Sequence, residues 1–260
     1  MSATGDLGSL FAASGLGQTA ITVLDNMTDT LGPAIMDGLG TVTLDDITTS
    51  EVMLVKLIMD DSSSMSRHGN AQLARDGHNQ VLQALKDSKS AATILVSCEY
   101  FNLGVLYPYV PLDQAVLLDN RNYHPGGGTP LYERTATGLT STIAKATEFE
   151  QGGVAVRGVT YVVTDGGATD RYTRPADVAS IVGALLRTES YIVGGMGIDD
   201  GYTDFTAVFQ TMGIQPEWIL TPKNTPSDIR RAFGTISRSA VRASQAAGNF
   251  SQTALGGFGG

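Results

Sequence analysis

Residues 52–66, VMLVKLIMDDSSSMS, join an apolar run to a cluster of carboxylates and hydroxyls. The first half is rich in Val, Leu, Ile and Met, the continuous hydrophobicity of a strand buried in an α/β sheet. The second half presents Asp60, Asp61, Ser62, Ser63, Ser64 and Ser66 around Met65, at that strand's carboxyl end. Open α/β sheets place their ligand sites at this edge. Within the cluster, Asp60-x-Ser62-x-Ser64 sets oxygens on alternate residues, which an extended turn aims into one small volume. Hard oxygen donors of this kind suit Mg²⁺ or Mn²⁺ better than zinc. The bland counterpart is a polar loop whose Ser or Asp caps the next helix, and such residues crowd many loops.

Composition narrows the classes. A hydrophobic content of 42% over 260 residues supports a substantial globular core. With 26 acidic against 17 basic residues the net charge is -9, which argues against a nucleic-acid surface. No stretch approaches the roughly 18 apolar residues of a membrane span. The N-terminal MSATGDLGSLFAASGLG has no basic segment ahead of its broken apolar run, so no secretory signal is expected and the expected location is the cytoplasm. Cys98, alone in the chain and set within ATILVSCEYF, reads as a small buried residue rather than a nucleophile.

Along the chain, residues 1–17 are rich in Gly, Ser and Ala and are expected to be mobile or dependent on a partner. Ile21, Leu24, Met27 and Leu31 recur at helical spacing, and Gly32-Pro33 should end or bend that helix. TVTLDDITTS, residues 41–50, reads as a short edge strand, so residues 1–50 form an N-terminal extension. The main domain is expected over 51–246. A helix over 67–89 buries Ala74, Val81, Leu82 and Leu85. Strands over 92–101 and 104–110 are joined by Asn102-Leu103, too short for a crossover, so they pair antiparallel. Pro108 and Pro111 put the second at an edge. The spacing then predicts helices over 130–149, 175–187, 204–212 and 226–246, the last capped by Thr225 or Ser227, and strands over 157–164, 190–196 and 217–220. Residues 247–260 read as a flexible Gly-rich tail. This alternation describes an α/β fold: a doubly wound, mostly parallel six-stranded sheet with one antiparallel edge strand and helices on both faces.

Two further turns share the carboxyl edge with Asp60. HPGGGTPLYE carries Thr129 just before a helix, and Gly126, Gly127 and Gly128 permit close approaches there. VVTDGG ends a strand in Asp165. Together the three turns offer hydroxyls from Ser62, Ser64 and Thr129 with two carboxylates nearby, part of the roughly six oxygens that magnesium takes.

Taken together, these motifs resemble the von Willebrand factor A (vWA) domain with its metal-ion-dependent adhesion site. The resemblance covers about residues 52–246 and rests on Asp60, Ser62 and Ser64, on Thr129 in GGGTPL and on Asp165 in VVTDGG, in the family's order. The GGGTPLYE wording is similar to intracellular bacterial members. The resemblance implies a vWA/Rossmann-like fold and a bound Mg²⁺, with Mn²⁺ or Ca²⁺ as alternatives. It implies that Ser62 and Ser64 are direct ligands and Thr129 a direct or water-mediated one. Asp60 and Asp165 would hold coordinated waters and orient the hydroxyls. A protein partner would complete the shell with an Asp or Glu, against a rim of Asp61, Ser63, Gly127, Gly128 and Gly166. Related modules work as adaptors beside a separate ATPase or with neighbouring subunits.

Rival functions have thinner support. The chain has no G-x-x-x-x-G-K-[ST] loop for ATP hydrolysis and no G-x-S-x-G elbow. Asp60 invites comparison with aspartate-nucleophile phosphatases, but those carry D-x-D where this chain has Ser62. A docking module, not an enzyme, with neither nucleic acid nor membrane as partner, is the expectation. The alternative is a structural subunit that engages its neighbours through residues 1–50 and the tail. His68 reads as a solvent-facing helix residue, His124 as a loop residue, and Asp199-Asp200 as a turn. Met53, Met59, Tyr100, Tyr107 and Tyr109 read as core.

Overall fold

Strand β1 (Glu51–Met59) is buried on both faces from Val52 onward, as its apolar run, interrupted only by Lys56, requires. The structure, a computed structural model, describes residues 3–90, 93–246, 250 and 252–259. Beside β1 lie β2 (Ile94–Tyr100) and β4 (Ala155–Thr164), both parallel to it, with Val55 opposite Val96 on one side and Val159 on the other. Next come β3 (Val105–Pro111), antiparallel to β2, then β5 (Tyr191–Gly197) and the short β6 (Ile219–Leu220). The order is β3-β2-β1-β4-β5-β6. Asp60 and Asp165 therefore leave adjacent parallel strands at the same edge, which the expected doubly wound fold demands.

On one face α3 (Asn70–Lys86) packs against α7 (Pro226–Gln245), whose first turn is capped by the Thr225 hydroxyl accepting from the Asp228 N–H. On the other lies α4 (Leu131–Gln151), overlaid by α1 (Ala3–Ala13), α2 (Gln18–Leu39) and α5 (Pro175–Arg187). The short α6 (Phe205–Thr211) sits by β5 and β6. Although polar in sequence, α4 is buried nearly all round. Its hydroxyls make this possible by bonding their own helix: Thr135, Thr140, Thr142 and Thr147 each donate to the carbonyl four residues back.

Three expectations for the ends of the chain are corrected. Residues expected to be mobile form α1, with Leu7 and Phe11 fully buried in the core. The second helix does not end at Gly32-Pro33 but continues to Leu39. Pro33 and Asp29 are both exposed, so the carbonyl that loses its donor at Pro33 faces water rather than protein. The supposed edge strand is a 3-10 turn, Leu44–Asp46, closed by a capping box in which Asp46 accepts from the Thr43 N–H at 2.8 Å.

The Gly-rich tail is also ordered over its described part. In it α8 (Gln252–Leu255) leads to Phe258, whose ring lies 5.9 Å from Tyr161 and 5.3 Å from Trp218. Three apolar side chains among the glycines, Phe250, Leu255 and Phe258, join the core and hold the segment down. Residues 247–249, 251 and 260 of the expected tail lie outside the described residues. No helix among the described residues is long and apolar enough to cross a membrane.

Candidate metal centre

The last rung of β1 positions Asp60. Its N–H donates to the Val163 carbonyl at 2.9 Å, which holds the residue in register with β4. Both carboxylate oxygens are then occupied: Oδ1 accepts from the Ser62 N–H at 2.6 Å and Oδ2 from the Thr164 hydroxyl at 2.6 Å. The Tyr123 hydroxyl donates to the Asp60 carbonyl. Asp60 is 0% exposed. Burial pushes its carboxyl up to about 6; the hydrogen bonds from Ser62 and Thr164 oppose that rise, and the Asp165 charge adds to it.

Asp165 is held in the same way from other elements. Oδ1 accepts from the Ser64 hydroxyl at 2.5 Å and Oδ2 from the Asn70 side-chain amide, on α3, at 2.9 Å. Ser62 Oγ and Ser64 Oγ are 2.9 Å apart. Because the single Ser64 proton goes to Asp165, Ser62 is the donor in that pair.

Thr129 reaches the same place through two clamps. Its N–H donates to Thr169 Oγ1 at 2.8 Å, and the Thr169 N–H donates back to the Thr129 carbonyl at 2.9 Å. The Gly127 carbonyl accepts from both the N–H and the hydroxyl of Ser63, at 3.2 and 3.0 Å. A β-carbon on Gly166 would lie 3.3 Å from Ser64 Oγ and 3.4 Å from Thr129 Oγ1. Two hydroxyls from turns far apart in sequence thus border one small space, and the missing side chain of Gly166 keeps it open.

This donor set fits a hard divalent ion. Each oxygen of the two carboxylates has a protein donor, so the acids orient hydroxyls and backbone while Ser64 Oγ and Thr129 Oγ1 border the space. Among the described residues no group of three or more His, Cys, Asp or Glu side chains is placed to hold a metal. The donors at this candidate site are oxygens, most of them neutral hydroxyls, and oxygen donors suit magnesium or manganese better than zinc.

One rim residue is corrected. Asp61 is 0% exposed, and its carboxylate accepts from the Asn102 N–H, the Asn102 amide and the Leu103 N–H at 2.8, 2.9 and 3.0 Å. It braces the β2–β3 turn from inside instead of facing a partner. Ser63, Gly127 and Gly128 are exposed and Gly166 is half-buried. His68 lies in an exposed turn with φ 54°, ahead of α3 rather than on it. His124 is exposed, with Nε2 against the Arg121 carbonyl. Asp199 and Asp200 accept from loop amides of Gly201, Tyr202 and Thr203, as a turn does.

Sequence reasoning passed over Thr164, Asn70, Tyr123 and Thr169. Thr164 carries a usable signal, since a hydroxyl at the last position of the strand beside β1 faces Asp60. Asn70 carries none, because its role depends on where the first turn of α3 falls relative to β4.

No protein-family model matches the sequence, and no curated protein matches it. Among solved structures, the pilus adhesin SpaC from Lactobacillus rhamnosus GG in its open conformation aligns over 75% of this chain with a TM-score of 0.55 and 15% identity. The fold is of the vWA/Rossmann-like α/β class. The alignment takes in 30% of SpaC, so this chain spans less than a third of the adhesin. A von Willebrand factor type A protein from Catenulispora acidiphila aligns over 74% of this chain and 43% of its own, with 17% identity and a TM-score of 0.48. Manganese-loaded TRAP protein from Plasmodium vivax aligns over 71% and 74%, with 13% identity and a TM-score of 0.46. At these identities the likeness concerns the fold alone.

Proposed function

We propose that this chain is a metal-dependent protein-docking module. Its centre takes Mg²⁺, with Mn²⁺ or Ca²⁺ as alternatives, and an Asp or Glu side chain of a protein partner. The observation that carries this reading is the approach of Ser64 Oγ and Thr129 Oγ1 to the space beside Gly166, with Asp60 and Asp165 already engaged. A bound ion held by neutral hydroxyls supplies a seat for an external carboxylate. Ser62, Ser64 and Thr129 hold the ion; Asp60 and Asp165 aim the hydroxyls and accept from coordinated waters. Resemblance to intracellular members of the vWA family supports a cytoplasmic module that serves as an adaptor to a separate ATPase or to neighbouring subunits.

Catalysis has weaker support. An aspartate nucleophile needs a free oxygen open to substrate, and both oxygens of buried Asp60 are hydrogen-bonded. The alternative of a structural subunit reaching out through its ends has less support too. The apolar side chains of α1, α2 and the described tail are buried against the chain's own core.

Calorimetric titration with Mg²⁺ tests the proposal. The wild type is expected to bind, and Ser62→Ala and Thr129→Ala to lose binding while keeping the wild-type circular dichroism and melting profile. Equal Mg²⁺ affinity in all three proteins would overturn it.

A further inference from the structure

The loops that build the centre also carry exposed arginines, on a chain of net charge -9. Arg67 follows Ser64 by three residues, and its N–H donates to the Ser64 carbonyl at 2.9 Å. Arg171 follows Thr169, the residue that clamps Thr129. Both arginine side chains are exposed, and neither has a hydrogen-bond or ion-pair partner among the described residues.

Asp170, Asp199, Asp200 and Asp204 form no ion pair with either arginine; they accept from backbone amides nearby instead. Asp170 accepts from the Glu133 and Tyr132 N–H groups at the start of α4, at 2.7 and 3.2 Å. Asp199 accepts from Gly201, Asp200 from Tyr202 and Thr203, and Asp204 from Ala207. Two exposed arginines with no ion pair among the described residues thus sit on the turns of the proposed docking centre, one three residues after Ser64 and one two residues after Thr169. Unpaired guanidinium groups steer and select anionic partners.

We propose that Arg67 and Arg171 extend the docking site, so that the partner segment is an acidic stretch rather than an isolated acid. One carboxylate occupies the metal centre, and its neighbours in sequence pair with the two arginines. The inference rests on the metal-docking reading and adds to it the chemistry of the partner.

Two synthetic nine-residue peptides on a Gly-Ser background, one with a single central Asp and one with three, test this against the full chain in Mg²⁺. At low salt the three-acid peptide is expected to bind about tenfold tighter, two exposed ion pairs' worth of affinity, and 0.5 M salt should erase most of that gap. The Arg67→Ala/Arg171→Ala double variant should bind both peptides with the affinity the wild type shows for the single-acid peptide. The proposal is overturned if the wild type binds the two equally or binds neither, or if the double variant keeps the tenfold gap. Failure of the underlying metal reading has a different signature: binding of both peptides that survives a chelator and Ser62→Ala.

Discussion

Ser64 Oγ donates a 2.5 Å hydrogen bond to Asp165 Oδ1 across 101 residues of sequence. This bond ties the turn after β1 to the turn after β4, and Asn70 closes the other side of the same carboxylate at 2.9 Å. Asp165 is therefore oriented from both ends before any ion arrives, and its two donors set how well the centre is organised.

Removing the second donor should loosen the centre without emptying it. Asn70→Ala leaves Asp165 Oδ2 without its protein donor and is expected to weaken Mg²⁺ binding by about 10–100-fold, the usual effect of losing a supporting hydrogen bond behind a ligand. Folding should lose about 1–3 kcal/mol because a buried acceptor goes unpaired. Calorimetry with Mg²⁺ and a urea melt check both; a variant with wild-type affinity would show that Asn70 has no part in organising the site.

Gly166 tests the cradle itself. Its φ lies outside the left-handed region, so the backbone admits alanine, but the new methyl would occupy the space bordered by Ser64 Oγ and Thr129 Oγ1. Gly166→Ala should therefore keep the melting temperature within a few degrees while cutting Mg²⁺ affinity at least about tenfold. Full affinity in this variant would mean that the ion sits elsewhere.

A pH effect is expected from His78 on α3, fully buried with Nε2 2.8 Å from the Tyr107 hydroxyl. Burial lowers its pKa from 6.5 to about 4. The unfolded chain therefore binds a proton more readily between those values, and stability rises with pH across that window and is lost as pH falls through it. The full difference corresponds to about 3 kcal/mol. Asp60 works in the opposite sense, because its raised carboxyl costs stability as pH climbs toward 6. Subtracting His78→Gln from wild-type stability isolates the histidine: the gap should widen by about 3 kcal/mol from pH 4 to 6.5, and a constant gap would refute it.

The core holds an ion pair that should behave non-additively. Lys56 on β1 lies 3.7 Å from Glu99 on β2 and donates to Ser97 Oγ at 2.9 Å, while Glu99 Oε1 has no hydrogen-bond partner. Burial pushes the Glu99 carboxyl up and the Lys56 amine down, and their mutual attraction opposes both shifts. Lys56→Met should cost about 3–5 kcal/mol by stranding a buried carboxylate, and adding Glu99→Leu should recover most of it. Denaturant titration of the three proteins measures the coupling.

The doubly wound sheet was legible because its signals are local. A nearly continuous apolar run makes β1 a buried strand, a two-residue turn makes β2 and β3 antiparallel, and Pro108 and Pro111 mark the edge. The hydroxyl-bearing turn at Asp60, Ser62 and Ser64 was visible for the same reason, since alternate residues of one short segment carry the pattern. Pro33 misled because its cost depends on which side of α2 it faces, and that side is solvent. Glycine content misled in the tail, where Phe258 finds Tyr161 and Trp218 only after the sheet has formed.

Sequence alone determined which side chains stand at the ends of β1 and β4, because strand periodicity is set by neighbours in the chain. Tertiary structure alone decided which of them face the centre. Asp60 and Asp61 are adjacent and equally acidic, yet one is bonded to Ser62 and Thr164 at the metal centre and the other to Asn102 and Leu103 beneath a turn. Consecutive residues leaving a strand point in opposite directions, and what each one meets there is supplied by chain that is distant in sequence.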